Sequence, residues 1–481
     1  MVANVVELQA DDSQLAELRR VFSSQKQAYR QNPMPSADER VAHLAAFRRV
    51  FVKYQDELAQ AVSDDYNGNR SLDECKFSEI ICTLEGVKYY SKNLRKWMRP
   101  EKRHVSPMQM PASAKVVYQP LGVVGIIVPW NYPIFLATGP LMCALAAGNR
   151  VMIKMSSFTP RTGEVVKKML AEAFGEDHVA VINGRGTVSE EFTRLPFDQI
   201  TFTGSTNVGR TVMAEAAKNL TPVVLELGGK SPVIVHESYP LAEAAQRIAF
   251  GKCWNAGQTC VAPDYLLLPK GKTEEFVREF TKIVSGMYPT KLNNPDFTGI
   301  INEKQYRRVQ GYLDDARTQG AKVIEINPAN ESFANTFKMP VTMVTGVTPG
   351  MQIMQNEIFG PILPIMEVNS LDEALFFVNE RPRPLALYYF DWDSGRAEYV
   401  LSNTHSGGAC VNDVMSHVGV DDLPFGGVGS AGMGKYHGKE GFLAMSNAKG
   451  VLEKPKFYAL KFFLPPFNKG LHKFAKKHMF K

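Results

Sequence analysis

Cysteine is scarce in this chain and poorly placed for most of what cysteine does. The 481 residues contain six, Cys75, Cys82, Cys143, Cys253, Cys260 and Cys410, with no CxxC pair and no Cys/His group at zinc spacing. That pattern excludes a zinc finger, gives no reason to expect a metal, and fits reduced thiols in a cytoplasmic protein. HExxH is missing, which argues against a metalloprotease. No apolar run reaches the roughly 18 residues of a membrane span. The first residues carry Glu7, Asp11 and Asp12 in place of a basic-then-apolar leader, so export is not expected. Acid is nearly absent from one place only: residues 452–481 hold eight lysines and one acid. The net charge of +6 therefore sits in the tail, and the near-neutral body offers no nucleic-acid footprint.

That tail also carries Phe457, Tyr458, Phe462, Phe463, Phe467, Phe474 and Phe480. Basic and aromatic together, residues 456–481 read either as a terminal segment packed on the body with solvated lysines or as a peripheral contact for an anionic membrane surface. The rest is ordinary for a soluble protein of two or three domains, at 44% hydrophobic and 22% charged residues.

Residues 14–100 read as helical, with apolar positions three and four apart in 41–58 and 80–90. Strand-like segments follow at Ser113–Pro120 and 122–128. The pattern then alternates: strand Arg150–Lys154, helix 161–174, strand Val179–Ile182, strand 199–203, helix 207–218, strand 223–225. A second series starts at 231–236 with helix 241–252 and continues to about residue 411. Alternating β and α elements predict an α/β fold with a doubly wound parallel sheet.

Phe202-Thr203-Gly204-Ser205-Thr206-Asn207-Val208-Gly209 lies between an expected strand and helix. Glycine lets the backbone approach a diphosphate, and free amides at a helix start favour the anion; a plain capped turn uses the same residues. The literal GxGxxG at 427–432 follows no strand, and it reads as a loop needing unusual backbone angles or close packing. Lys154 ends a predicted strand, where ligands of open α/β sheets gather. Glu357 stands in Asn356-Glu357-Ile358-Phe359-Gly360-Pro361, which a structural turn explains as well.

Among the cysteines, Cys260 differs by its flanks. Gly257, Gln258 and Thr259 put it on a loop or tight turn instead of in an apolar stripe. Cysteine is the strongest side-chain nucleophile near neutral pH once its thiolate forms. Glu226 follows an apolar run and precedes two glycines, which places it at a strand end with room around it. Asn131, in Pro129-Trp130-Asn131-Tyr132-Pro133, is held rigidly, as an oxyanion donor must be. A thiol, a carboxylate and an amide make a set for covalent catalysis.

PWNYP, FTGSTNVG, ELGGK, the GQTC cysteine, NEIFGP and PFGGVG occur here in the order and spacing of one family. Over roughly residues 15–450 the chain resembles the NAD(P)-dependent aldehyde dehydrogenases. The stretch from Pro424 to Gly438 looks most like the class 3 and coniferyl aldehyde dehydrogenase branch. The resemblance implies a Rossmann-type cofactor domain (1–102 and 120–228), an α/β catalytic domain (229–425) and a small oligomerisation arm (103–119 and 426–455) serving a homodimer. It implies that Cys260 attacks the aldehyde, that Asn131 and the Cys260 N–H hold the oxyanion, and that Glu226 activates the water that hydrolyses the thioester. It assigns Trp130, Lys154, Gly204, Ser205, Gly209, Glu357 and Phe359 to NAD or NADP. Tyr132, Trp254 and Phe425 match a substrate tunnel for aromatic or medium-to-long aliphatic aldehydes. Ser157 stands where many NAD-preferring members carry a ribose-binding glutamate, so NADP is expected to be accepted. The alternatives are the same chemistry on a charged semialdehyde, or a non-catalytic protein on this fold.

Overall fold

The computed structural model describes residues 12–334, 336–457 and 459–479. Three sheets organise it. The first has six strands in the order Gly432–Met433, Val223–Leu227, Gln199–Gly204, Val123–Ile127, Arg150–Lys154 and Val179–Ile182. All are parallel except the two-residue edge strand Gly432–Met433. The chain enters at Val123–Ile127, winds out to Val179–Ile182 and returns to Gln199–Gly204 on the other side. Between those two neighbours the strand order reverses, which opens a crevice at their carboxyl ends. The turns that leave them carry Pro129-Trp130-Asn131 and Gly204-Ser205.

The second sheet has seven strands, in the order Lys322–Ile326, Val341–Thr345, Ile362–Val368, Tyr265–Pro269, Pro232–Val235, Ala386–Phe390 and Gly408–Val411. Only its Lys322–Ile326 edge is antiparallel. The third is an antiparallel arm of Glu101–Arg103, Ser113–Pro120 and Ser446–Glu453. It starts slightly before residue 103, and Gly432–Met433 belongs to the first sheet instead of the arm.

The helical N-terminal region is broken where Met34 and Pro35 interrupt it, and Ser36 and Glu39 form a capping box for Ala37–Asp65. That helix presents Arg40 inward. Fully buried, its guanidinium donates to the carbonyls of Ala146 (3.1 Å) and Ala147 (2.7 Å). These close the C-terminus of Phe135–Ala147, a helix buried along almost its whole length. A π-helical segment, Lys76–Ile81, separates Leu72–Cys75 from Cys82–Trp97. Such wide turns re-aim side chains and recur at functional sites. Here Glu79 accepts from the N–H groups of Ile134 (2.7 Å) and Phe135 (3.0 Å), at the start of the buried helix.

One expectation needs correction. The strand carrying Glu226 runs from Val223 to Leu227, so Glu226 lies within it, opposite Thr203 on one side and Gly432 on the other. It is 2% exposed. The 427–432 glycines fold back along this strand and cover it, because their lack of Cβ permits the approach: an added Cβ at Gly432 would stand 2.0 Å from the Leu225 carbonyl oxygen. Of the tail aromatics, Phe463 is half-buried beside His472. Phe457, Phe462, Phe467 and Phe474 are exposed around Ala459–Phe463 and the helix Gly470–Met479; Tyr458 and Phe480 lie outside the described residues. No helix among the described residues is long and apolar enough to cross a membrane.

Candidate active site

Cys260 follows a turn that few sequences adopt. The helix Leu241–Cys253 ends, and Asn255, Ala256 and Gly257 take consecutive left-handed conformations (φ 51°, 50° and 69°). At Gly257 a Cβ would also meet the Gly360 carbonyl oxygen at 2.3 Å. Strain of this kind persists only where the surroundings over-determine it. The Asn255 N–H donates to Glu74 (2.9 Å), which pairs with buried Arg70 (3.1 Å). The Asn255 side-chain amide donates to the carbonyls of Asn131 (3.0 Å) and Gln258 (3.1 Å). Gln258 uses its own amide on Asn255 (3.0 Å) and Gly299 (3.0 Å), and accepts from Ile301 N–H (3.1 Å). Asn131 closes the set by donating to the Gln258 carbonyl (3.1 Å). Asn131 is thereby locked beside the cysteine turn.

Two cavities meet at Cys260. One, of about 500 Å³, is lined by Trp130, Asn131, Gly204, Ser205, Glu226, Glu357 and Phe359 among others. The second, of about 290 Å³, is lined by Tyr132, Phe135, Trp254, Val414, Met415, Phe425 and Tyr436, with Phe77 and Cys82 from the π-helical corner. Tyr132 is pinned by a hydroxyl contact to Thr259 (2.6 Å) and lies under the Arg70 guanidinium. A polar slot and an aromatic slot thus open onto one thiol.

The chain matches the family model "Aldehyde dehydrogenase family" over residues 4–451. It is 52% identical to the "Probable coniferyl aldehyde dehydrogenase" of Pseudomonas aeruginosa, over 99% of both chains. It is 44% identical to the "Coniferyl aldehyde dehydrogenase" of Pseudomonas sp., covering 91% of this chain and 90% of that one. The solved structure "Substrate bound state of Staphylococcus Aureus AldH" superposes with a TM-score of 0.90 at 35% identity, covering 96% of this chain and 99% of that one. The chain belongs to the aldehyde dehydrogenase family. It is an NAD(P)-dependent oxidoreductase that converts aldehydes to carboxylic acids.

The larger cavity of this aldehyde dehydrogenase fits such a dinucleotide. Ser205 caps the helix Thr206–Ala217 with its hydroxyl, leaving the first amides of that helix at the cavity wall. Trp130 and Phe359 meet edge to face at 5.3 Å. Glu357 Oε1 is buried with no partner, and an added Cβ at Gly228 would meet Oε2 at 2.0 Å, so only glycine leaves space for this carboxyl. An unpartnered acceptor in a polar slot suits a ribose hydroxyl. Lys154, Ser157 and Gly209 do not line that cavity. Lys154 Nζ donates to the carbonyls of Met155 and Gly184, both at 2.8 Å. Ser157 sits in the half-buried turn that follows the same strand. Gly209 packs the helix on the sheet, where an added Cβ would be 2.6 Å from Leu227.

Burial dominates the electrostatics. It pushes the Cys260 thiol up to about 12, with Glu357 and Glu226 adding to the effect. It raises the Glu226 carboxyl well above the usual range, against Lys435 and the Gly427 N–H. It holds Glu357 at about 8 and lowers Lys154 to about 8. Burial thus favours the uncharged forms of the thiol and of both carboxyls.

Sequence reasoning missed Phe77, Cys82, Val414, Met415 and Tyr436 on the apolar slot, and Lys435 beside Glu226. The first four come from a π-helical turn and a loop that no local pattern marks. Tyr436 and Lys435 stand in the glycine-rich segment already singled out, so their neighbourhood was visible but their direction was not. Replacing Gln258 by leucine removes three buried hydrogen bonds and releases the strained turn. The expected result is a fall in kcat of about 100-fold, the scale of an ångström-sized misplacement of a reacting group, with the Kd for NADP kept within a few-fold. Steady-state kinetics and fluorescence titration check it.

Proposed function

We propose that Cys260 is the nucleophile, Asn131 an oxyanion donor and Glu226 the base of this enzyme, acting on aromatic aldehydes of the coniferyl type. The observation that carries the reading is the single thiol at the junction of the two cavities. Cys260 Sγ gives up its proton to solvent and bonds to the carbonyl carbon as the C=O π bond opens, and the oxygen that becomes negative faces the Asn131 amide and the Cys260 N–H. Bound NAD(P)+ supplies the acceptor for the hydride that leaves this carbon, and a thioester remains on Sγ. Glu226 takes a proton from water, the water oxygen bonds to the acyl carbon, the C–S bond breaks and the acid is released.

The shape of the aromatic slot supports the substrate class. Rings from Phe135, Trp254 and Phe425 line it, and Asp413 is the only charged residue among its described lining. A carboxylate or phosphate on the substrate would enter without a counter-charge, which is costly. A charged semialdehyde is therefore disfavoured. The intact set of Cys260, Glu226 and Asn131 argues against a non-catalytic role. A panel with both cofactors tests this: coniferyl-type and other aromatic aldehydes should exceed succinic semialdehyde in kcat/KM by at least about tenfold, the least that an unpaired buried charge would cost. Cys260→Ser should abolish turnover while binding cofactor normally; residual oxidation at wild-type rate would refute the assignment.

NADP acceptance follows from two residues. Ser157 brings no carboxylate to repel a 2′-phosphate, and Lys154 gains a reason to stay protonated beside one. Ser157→Glu is expected to lower the NADP:NAD ratio of kcat/KM by about tenfold, the scale of the roughly 1 kcal/mol between like charges about 4 Å apart in water.

The arm supports a homodimer: Ser446–Glu453 is an exposed edge strand with unpaired backbone groups. The tail, with Phe457, Phe462, Phe467 and Phe474 exposed among lysines, supports peripheral contact of a cytoplasmic enzyme with anionic lipid. Removing residues 456–481 should abolish sedimentation with phosphatidylserine vesicles and leave kcat unchanged; equal sedimentation of both forms would end this reading.

A further inference from the structure

Glu226 is an awkward base. Both of its carboxylate oxygens are buried without a well-formed hydrogen bond, and an acid in that state keeps its proton. Four titratable groups bear on it. Cys260 and Glu357 line the same cavity. The Tyr436 hydroxyl is buried and unpartnered on the side of the aromatic slot. The remaining one is Lys435, from the glycine-rich segment that folds over the Glu226 strand. The two side chains flank Gly426: a Cβ built there would be 2.6 Å from Glu226 Oε1 and 3.0 Å from Lys435 Cδ. Lys435 is half-buried, and its ammonium donates to the carbonyls of Gly407 (3.0 Å) and Gly426. Its position is thus fixed by backbone, not by an acid that would cancel its charge.

We infer that Lys435 is a positioning residue of the hydrolysis step: its ammonium, anchored on Gly407 and Gly426, holds positive charge beside Glu226 so that this carboxyl can ionise and draw a proton from the attacking water. The inference rests on Glu226 being the base. Lys435 is the cation that favours the charged form of Glu226; burial lowers Lys435 itself, and the reciprocal attraction of Glu226 opposes that lowering. The chemistry on sulfur before hydrolysis does not require that ionised carboxylate in place, so Lys435 should matter after the thioester has formed.

Rapid mixing of the full chain with NADP and an aromatic aldehyde separates the two stages. In Lys435→Met the first equivalent of reduced cofactor should form at the wild-type rate. Steady-state turnover at neutral pH should fall about tenfold and recover at higher pH, the acid limb of kcat moving up by about one pH unit, as expected on removing an opposite charge a few ångströms away. Lys435→Arg should keep the wild-type limb. Lys435→Gln retains a donor for the two carbonyls and removes only the charge, so it decides the matter where the methionine variant does not fold. An unshifted acid limb in the uncharged variants overturns the inference, as does loss of the first equivalent together with cofactor affinity. Glu226→Gln keeps the two readings apart. If it forms one equivalent and then stalls while Lys435 variants keep the wild-type limb, only the role of Lys435 falls. If Glu226→Gln turns over normally, the base assignment itself falls.

Discussion

Everything at the reaction centre depends on a turn that the backbone would not adopt unaided. Asn255, Ala256 and Gly257 are left-handed in succession, and for residues other than glycine that conformation costs on the order of 1–3 kcal/mol each. The cost is offset by amides and carbonyls gathered from four segments: Glu74 of the N-terminal helices, Asn131 of the first sheet, Gly299 and Ile301 of a distant loop, and Gln258 itself. These partners come from both halves of the molecule, so the cysteine turn is held between them. The Cys260 turn is thus a product of tertiary assembly, not of its own tetrapeptide.

Much of the architecture was legible beforehand. Ser113–Pro120, Arg150–Lys154 and Val179–Ile182 appear as strands with the expected bounds, since β-branched runs between turn residues carry a strong local signal. The helix after Gly204 was equally plain. The end of the Glu226 strand was not. Near that end Leu225 and Glu226 pair with Met433 and Gly432, more than two hundred positions away, and no local pattern reports a partner at that distance. The same applies to the aromatic slot. Tyr132, Trp254 and Phe425 could be named, whereas Phe77 and Cys82 reach it only through a π-helical turn.

The residues expected to touch cofactor divide in a similar way. Trp130, Gly204, Ser205, Glu357 and Phe359 converge on one cavity wall. Lys154 was recognisable from its place at a strand end, but its attachment to two backbone carbonyls was not. Gly209 looked like part of a phosphate turn because it follows Gly204 and Ser205. Its spacing serves helix-to-sheet contact against Leu227 instead, a demand that also selects glycine and leaves the same mark in the sequence.

The aromatic slot has a further consequence for the product. On the proposed reading an aldehyde enters it neutral and leaves as a carboxylate, and no cation is among its described lining residues to receive that new charge. A carboxylate formed at the Cys260 end of that slot is poorly solvated there and well solvated outside. On that reading turnover ends with a species that its own birthplace disfavours, and the acid is expected to leave readily and to compete poorly with fresh substrate. A cavity that selects by what it lacks on the way in also clears itself by the same lack on the way out.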